Sequence, residues 1–271
     1  MLAILLSTYN GEQYLAEQLE SIINQTYHDF TLYVADDGST DRTVEIVRQF
    51  ERQDKRIVLL EKPIKHAGAY KSFMWLLQQV EADFYMFADH DDFWLPEKVE
   101  TELAAAENCP KNKPVLVHCD LTVTDENLKT KYQSFWKFNK YKKNDFSSFK
   151  FHCAYNNIAG CTMLINKVAR DLCLPAPATA KLHDAWVALA VSFYKGIFVD
   201  IETPLIKYRQ HSKNIVGAKK SRSWYQKIRN IKLIVYENLQ LYKTVKVLKK
   251  ISIIKFLLNK TTIYLKVITI K

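Results

Sequence analysis

The sequence has no uninterrupted apolar stretch long enough to span a bilayer, so it predicts no transmembrane helix. Its first seven residues, Met1 to Ser7, are apolar but carry no basic n-region, and Tyr9-Asn10-Gly11 ends the run. We therefore interpret this segment as a first strand rather than as a signal peptide.

Cysteines are few, odd in number and never arranged as C-x-x-C, which argues against both a disulfide framework and a zinc site. The five are Cys109, Cys119, Cys153, Cys161 and Cys173. We expect buried, reduced thiols in a cytosolic protein.

Acidic residues are scarcer than basic ones: 29 against 39, which gives a net charge of +10 at pH 7. This excess predicts an anionic partner, either nucleic acid, nucleotide diphosphates or an acidic membrane leaflet. Because no nucleic-acid-binding motif accompanies the charge, we expect no nucleic-acid partner. A chain of 271 residues is long enough for one large domain or for one domain with an appendage.

The hydrophobic pattern alternates strands with helices in the first half of the chain. Strands are predicted at residues 2–7, 30–35, 57–60 and 84–88, and helices up to residue 23, from a cap at Ser39 or Thr40 to residue 50, and at residues 68–80 and 96–106. Strands separated by helices indicate βαβ units and a parallel sheet.

The second half is less regular. Strands are predicted at residues 115–119, 161–165, 196–201 and 205–208, helices at residues 167–173 and 183–194, and an aromatic, lysine-rich loop at residues 132–151. The predicted fold class is therefore α/β, with a Rossmann-like, mostly parallel sheet flanked by helices.

Three polar clusters directly follow predicted strands, where open sheets of this kind bind their ligands. The clusters are Ser7-Thr8-Tyr9-Asn10, Asp36-Asp37-Gly38-Ser39 and Asp89-His90-Asp91-Asp92. The last places three carboxylates within four positions, and such a group favours Mg²⁺ or Mn²⁺, which also holds a diphosphate. A solvated acidic turn or a helix N-terminus explains this cluster alone, but explains three convergent clusters less well.

From about Ser221 onward the chain is basic, and Glu237 is the only acidic residue in that segment. Apolar residues between positions 231 and 248 recur at roughly helical spacing. Two interpretations stay open, a basic amphipathic helix on an anionic membrane and a surface helix packed on the core with a solvated basic face.

Six motifs in order give the chain a family resemblance. They are Ser7-Thr8-Tyr9-Asn10-Gly11, Asp36-Asp37-Gly38-Ser39-Thr40-Asp41, Asp89-His90-Asp91-Asp92-Phe93-Trp94, Gly160-Cys161-Thr162-Met163, His183-Asp184-Ala185-Trp186 and Tyr208-Arg209-Gln210-His211-Ser212-Lys213-Asn214. Over residues 2–217 the sequence resembles a family 2 glycosyltransferase of the GT-A fold, in the rhamnosyltransferase-like branch of bacterial surface polysaccharide enzymes. The resemblance implies a catalytic domain at 1–217, with a nucleotide-sugar half at about 1–120 and an acceptor half at about 121–217. A basic helical tail at 218–271 would follow.

The resemblance also implies roles for individual residues. The donor nucleotide would be bound by Thr8, Tyr9, Asn10, Asp36, Asp37 and Asp89. Asp89 and Asp91 match the metal-binding D-x-D, and His211 would either join the Mn²⁺ or Mg²⁺ site or pack as a structural histidine. Asp184 matches the general base, although the residue could simply cap its helix. The sugar or acceptor pocket would contain Trp94, Gly160, Cys161, His183 and Trp186, of which the tryptophans could equally be core. Lys71 is expected to be a solvated helix lysine rather than a phosphate ligand.

The predicted function is metal-dependent, inverting transfer of L-rhamnose from dTDP-rhamnose to a lipid-linked saccharide in surface polysaccharide synthesis. The predicted location is cytoplasmic and peripheral, at the inner face of the plasma membrane, with membrane contact through the basic tail and a possible homo-oligomer. A UDP-hexose or UDP-N-acetylhexosamine donor is the alternative. A nucleotidyltransferase is more remote, because no Gly-rich basic loop follows the first strand. A non-catalytic, membrane-associated binding module is a further alternative, against which the set Asp89, Asp91 and Asp184 argues.

Overall fold

The computed structural model describes residues 1–141, 147–211 and 231–270, with the side chains of 231–233 and 266–270 outside the description. The proposed boundary between residues 217 and 218, the motif residues 212–214 and the basic residues between 212 and 230 lie outside the described residues.

Nine strands of the described residues form one sheet. They are β1 (Leu2–Thr8), β2 (Phe30–Asp36), β3 (Ile57–Leu60), β4 (Phe84–Asp89), β5 (Phe93–Trp94), β6 (Val115–Thr124), β7 (Thr130–Tyr132), β8 (Met163–Asn166) and β9 (Ile197–Arg209). Their order is β3-β2-β1-β4-β8-β6-β9-β5, and β7 pairs with β6. The first four strands pair in parallel, as predicted, and so do β6 and β9. Strand β8 is antiparallel to both β4 and β6 and joins the two parallel groups.

Helices cover both faces of this sheet. They are α1 (Leu15–Ile23), α2 (Thr43–Gln53), α3 (Ala69–Gln79), α4 (Lys98–Glu107), α5 (Phe135–Asn139), α6 (Phe149–His152), α7 (Lys167–Leu172), α8 (His183–Phe193), α9 (Ile231–Leu248) and α10 (Ile253–Ile270). One core forms where α1, α2 and α4 pack on the sheet. A second core joins α3, α7 and α8 to the opposite face, because successive strand residues point to opposite sides. This is the predicted α/β architecture.

Some element boundaries differ from the predicted ones. Strand β9 is one continuous strand with irregular register against β6, where two short strands were predicted. The predicted loop at residues 132–151 contains α5 and α6. Helix α2 begins at Thr43 rather than after Ser39 or Thr40, because those two residues bond to Asn10 instead of capping a helix.

The last two described helices are anchored in the second core. Val245 of α9 and Phe256 of α10 are almost completely buried there, and Thr244 of α9 donates a hydrogen bond to Thr179 at 2.9 Å. Among the described residues, no helix is both long enough and apolar enough to cross a membrane.

Candidate active site

The three predicted strand-end clusters open onto one cavity of about 970 Å³ beyond β1, β2 and β4. Parallel strands end at the same sheet edge, so residues far apart in sequence meet here. Eleven predicted site residues line it: Thr8, Tyr9, Asn10, Asp37, Asp89, Asp91, Gly160, Cys161, His183, Asp184 and His211.

The loops after β1 and β2 are bound to each other. The N–H of Asn10 donates to Ser39 Oγ at 2.9 Å, and Asn10 Oδ1 accepts from the N–H of Thr40 at 2.9 Å. The N–H of Gly11 donates to Thr43 Oγ1 at 2.8 Å. Asn10 adopts a positive φ of 47°, which asparagine tolerates better than most residues. These bonds hold the two loops in one arrangement at the cavity edge.

Asp37 is paired with a buried lysine that sequence reasoning missed. Lys62 lies 4% exposed and donates both to Asp37 Oδ1 and to Ser72 Oγ, the latter at 2.8 Å. Asp37 Oδ1 and Oδ2 also accept the N–H groups of Ala67 at 3.0 Å and Gly68 at 2.8 Å. Burial alone would raise the pKa of Asp37, but these bonds outweigh it and hold that pKa below its usual value. Lys62 follows β3, so the strand-end rule applied to the third strand would have found it.

Asp36 lies behind the cavity rather than in it. Its carboxylate accepts hydrogen bonds from Thr8 Oγ1 at 3.0 Å and from the N–H groups of Gly38 and Ser39, both at 2.9 Å. It is not among the described residues that line the cavity, which differs from its predicted contact with the nucleotide. These bonds tie Asp36 to the end of β1 and to the loop after β2.

We call the segments 8–12, 36–43 and 62–68 the Asp37 wall. His66 belongs to this wall and was not predicted. It has a positive φ of 56° and meets the ring of Tyr9 edge-on at 5.8 Å.

The carboxylates after β4 lie close enough to affect one another. Burial, followed by the charges of Asp91 and Asp184, raises the pKa of Asp89 to about 7. His211 Nε2 lies 2.8 Å from Asp91 Oδ2, which brings together two of the three predicted metal ligands. Carboxylates held this close together fit a divalent cation bound through Asp89 and Asp91.

A second group of candidate metal ligands is more deeply buried. One ligand atom each from Asp89, Asp92 and Cys161 fall within 4.8 Å of one another. Burial and the neighbouring carboxylates raise the pKa of Asp92 well above its usual value, and burial with Asp92 does the same for the Cys161 thiol. A thiol is a poor ligand for a hard cation such as Mg²⁺. We therefore assign Asp92 and Cys161 to the support of the loop.

Arg209 supports the acidic loop after β4, a role that the sequence analysis did not predict. Its Nε donates to the carbonyl of Asp91 at 2.9 Å, and its Nη2 pairs with Glu17. The guanidinium lies 4.6 Å from the ring centre of Tyr14, and that ring stacks on His211 at 4.9 Å. These contacts fix the direction in which Asp91 and His211 face.

Asp184 lies in the first turn of α8, whose N-cap is Leu182, so the capping interpretation does not apply. Burial raises the pKa of Asp184 to about 6, while hydrogen bonds from Ala185, Asn156 and Gly160 oppose the rise. A carboxylate with this pKa is mostly ionised at pH 7 and remains basic enough to accept a proton.

The segment 156–160 together with His183 and Asp184 forms what we call the Asp184 wall. Burial lowers the pKa of His183 to about 3, so its ring is neutral at pH 7. A Cβ atom on Gly160 would lie 2.3 Å from His183 Nε2, so only glycine allows this approach. Within the described residues, His183 Nε2 and both amide atoms of Asn157 are buried without a hydrogen-bond partner.

The structure departs from the prediction at both tryptophans, which lie in the hydrophobic core. Trp94 is 1% exposed, and its backbone N–H donates to Ser21 Oγ. Lys98 Nζ lies 4.2 Å from the centre of its ring. Trp186 donates its Nε1–H to the carbonyl of Cys173 at 2.9 Å. Neither is among the described residues that line the cavity. Lys71 is exposed on α3, as expected.

Comparison with solved structures identifies the fold. A mannosyltransferase from Pyrobaculum calidifontis, solved with GDP-Man and Mn²⁺, superposes with a TM-score of 0.63 at 16% identity, over 99% of this chain and 71% of that one. The S. aureus TarS fragment 1–349, solved with UDP-GlcNAc, has a TM-score of 0.59 at 15% identity, over 90% of this chain and 70% of that one. The fold is therefore the GT-A fold.

The family follows from the sequence comparisons. The family model described as glycosyl transferase family 2 matches residues 3–172. The dTDP-rhamnosyl transferase RfbG of Shigella flexneri is 29% identical over 79% of this chain and 74% of its own length. An uncharacterized glycosyltransferase of Rickettsia typhi is 26% identical over 78% of this chain and 64% of its own length. The chain belongs to glycosyl transferase family 2.

Proposed function

We propose that the chain is a metal-dependent, inverting glycosyltransferase with a nucleotide diphosphate sugar as donor. The observation that carries the proposal is the meeting of Asp37, Asp89, Asp91 and Asp184 in one cavity, each in an environment that suits a different task. Asp37 is held ionised, whereas the pKa values of Asp89 and Asp184 are raised.

The Asp37 wall suits the nucleotide. A carboxylate has about four lone-pair sites, and Lys62, Ala67 and Gly68 occupy three of those on Asp37. The remaining lone-pair site, on Asp37 Oδ2, is available to accept a hydrogen bond from the N3–H of a pyrimidine. Thr8, Tyr9 and Asn10 would line the rest of the nucleotide pocket. The net positive charge of the chain favours the approach of an anionic donor.

Asp89, Asp91 and His211 would hold Mn²⁺ or Mg²⁺. Such an ion, when bound, stabilises the negative charge that develops on the diphosphate as the sugar leaves. Arg209 and Tyr14 keep Asp91 and His211 in position through the contacts described above.

Asp184 would act on the acceptor. Its carboxylate takes the proton from the acceptor hydroxyl while that oxygen attacks the anomeric carbon on the face opposite the leaving diphosphate. The sugar then has oxocarbenium character, as in glycoside hydrolysis, and in-line attack inverts its configuration. Hydrogen bonds from Asn156 and Gly160 hold the carboxylate in place.

We propose dTDP-rhamnose as the donor, and the similarity to the Shigella rhamnosyl transferase supports this choice. UDP-hexose or UDP-N-acetylhexosamine is the second candidate, since the structural neighbour TarS was solved with UDP-GlcNAc. A lipid-linked saccharide of surface polysaccharide synthesis is the proposed acceptor, reached from the cytoplasmic face of the membrane.

Donor hydrolysis by the purified protein tests the proposal. We expect dTDP release from dTDP-rhamnose in the presence of Mn²⁺ or Mg²⁺, loss of release with chelator, and loss in Asp91→Ala. Release of UDP from a UDP-sugar instead would overturn the rhamnosyl assignment and leave the mechanism standing. An absence of turnover and of nucleotide binding with every donor would overturn the enzymatic proposal.

A further inference from the structure

Helix α10 carries apolar side chains on two opposite sides, and only one side is covered by the described protein. The covered side includes Phe256, 1% exposed in the second core, and Ile263, which packs with Phe151 and Ala154. Asn259 Nδ2 also donates to the carbonyl of Lys150 at 3.0 Å. These contacts fix which side of the helix faces outward.

The outward side is an apolar stripe. We define the outer face of α10 by the exposed residues Ile253, Ile254, Leu257, Leu258, Thr261 and Leu265. Ile254 and Leu258 are 70% and 65% exposed and lie one helical turn apart. A surface helix normally directs such residues to the core and polar ones to solvent. Helix α10 does the opposite at these positions, and contiguous exposed apolar surface of this kind marks an interaction site.

The segment that carries this face is almost uniformly basic. Residues 234–265 contain six lysines and one glutamate. Lys243, Lys246, Lys249, Lys250 and Lys255 are exposed. The single glutamate, Glu237, lies near Lys260, so its charge is offset. An apolar face beside exposed lysines matches the acyl chains and anionic headgroups of a bilayer.

A second copy of the chain fits this face less well. Two outer faces packed together would bring their lysines to the same interface. No second acidic residue within positions 234–265 is there to pair with them. Like charges that face each other oppose association, whereas an anionic lipid surface attracts all of them.

We propose that the outer face of α10 is a docking surface for an anionic phospholipid bilayer. The helix lies in the plane of the interface, with its other face packed on the domain. Helix α10 also lies beside the cavity, because the ring of Tyr264 meets that of Tyr155 edge-on at 6.4 Å and Tyr155 lines the cavity. The docked chain therefore presents the cavity close to the membrane surface. The inference concerns location and goes beyond the proposed chemistry.

Vesicle flotation with the full chain tests the proposal. We expect binding to phosphatidylcholine vesicles that contain phosphatidylglycerol, and at least tenfold weaker partitioning to pure phosphatidylcholine or at high salt. The double variant Ile254→Asp/Leu258→Asp should lose binding at least tenfold, and Lys249→Gln/Lys250→Gln should lose mainly the dependence on anionic lipid. Tyr132→Asp is the control, because Tyr132 is a large side chain 40% exposed on β7, outside α9, α10 and the cavity, and should leave binding unchanged.

Several outcomes would overturn the proposal. Failure of the wild-type chain to float with anionic vesicles would overturn it, and this test needs no variant to fold. Equal loss in Tyr132→Asp would show non-specific adhesion. A dimer in lipid-free solution that Ile254→Asp/Leu258→Asp dissolves, without vesicle binding, would assign the face to a second copy. Thermal unfolding of each variant checks the fold. Because the assay needs no turnover, its failure and the failure of sugar transfer are separate results.

Discussion

The Asp37 wall and the Asp184 wall of the cavity differ in how completely their polar groups are satisfied. On the Asp37 wall, the carboxylates of Asp36 and Asp37 each accept several hydrogen bonds, and Lys62 is paired. On the Asp184 wall, Asn157 and His183 bury polar atoms that have no partner within the described part of the chain.

This difference separates a prebuilt surface from an incomplete one. A buried polar atom without a partner costs about 1–3 kcal/mol, so the Asp37 wall stabilises the fold and the Asp184 wall weakens it. A nucleotide diphosphate presents the same groups whatever sugar it carries, and a rigid surface suits it. The Asp184 wall retains hydrogen-bonding capacity that a substrate hydroxyl can satisfy, since a hydroxyl both donates and accepts.

The largest expected effect is on the Asp184 wall. Asp184→Asn keeps the size of the side chain but removes the proton acceptor, so kcat should fall by about 10²- to 10⁴-fold. Nucleotide binding at the Asp37 wall should not change. Steady-state kinetics and calorimetric titration with the nucleotide measure the two effects. Asp171→Asn, at an exposed aspartate on α7, is the matched control. A fully active Asp184→Asn enzyme would show that another residue is the general base.

The next effect is on stability at the Asp37 wall. Lys62→Met leaves Asp37 buried and unpaired, and the free energy of unfolding should fall by about 3–5 kcal/mol. Nucleotide affinity should fall with it. Urea denaturation provides the measurement, and Lys71→Met, at an exposed lysine of α3, should change the free energy by less than about 0.5 kcal/mol. A similar small change for Lys62→Met would contradict the assigned pairing.

A third test uses pH. Asp184 must be ionised to act as base, and its pKa is raised to about 6, so kcat/KM should fall about tenfold per unit below pH 6. A bound cation moves this acid limb lower. The raised pKa also means that the proton on Asp184 stabilises the fold below about 3.8, and that this contribution is lost as the pH rises through 6. A pH–rate profile measures this acid limb of kcat/KM. The limb should be absent from the pH dependence of the residual activity of Asp184→Asn.

A smaller change is expected at Asn157, on the Asp184 wall. Asn157→Leu replaces an unpaired buried amide by an apolar group of similar size, so the free energy of unfolding should stay the same or rise. The KM for the substrate that uses this wall should rise about tenfold, or about 1.4 kcal/mol. Thermal unfolding and kinetics on the same variant give both values. A destabilised variant with unchanged KM would make Asn157 structural and remove the contrast between the walls.

Much of the fold was predictable because it depends on local periodicity. Strands β1 to β4 and the helices between them were predicted to within a few residues, since buried parallel strands appear as continuous apolar runs. The missed strand β5 has only two residues, Phe93 and Trp94, and is stabilised by pairing with β9 more than a hundred residues away. No local pattern carries such a pairing, and for this reason Trp94 was expected in the pocket and lies in the core.

The α/β class, the three polar clusters and their convergence follow from the order of residues along the chain, because strand-end geometry follows from chain periodicity. Which polar groups satisfy one another depends on the folded arrangement. It pairs Lys62 with Asp37, places Arg209 behind Asp91 and leaves Asn157 and His183 without described partners. Hydrogen bonds and charge interactions act over a few ångströms in space, whatever the separation along the chain. These pairings give similar carboxylates different environments.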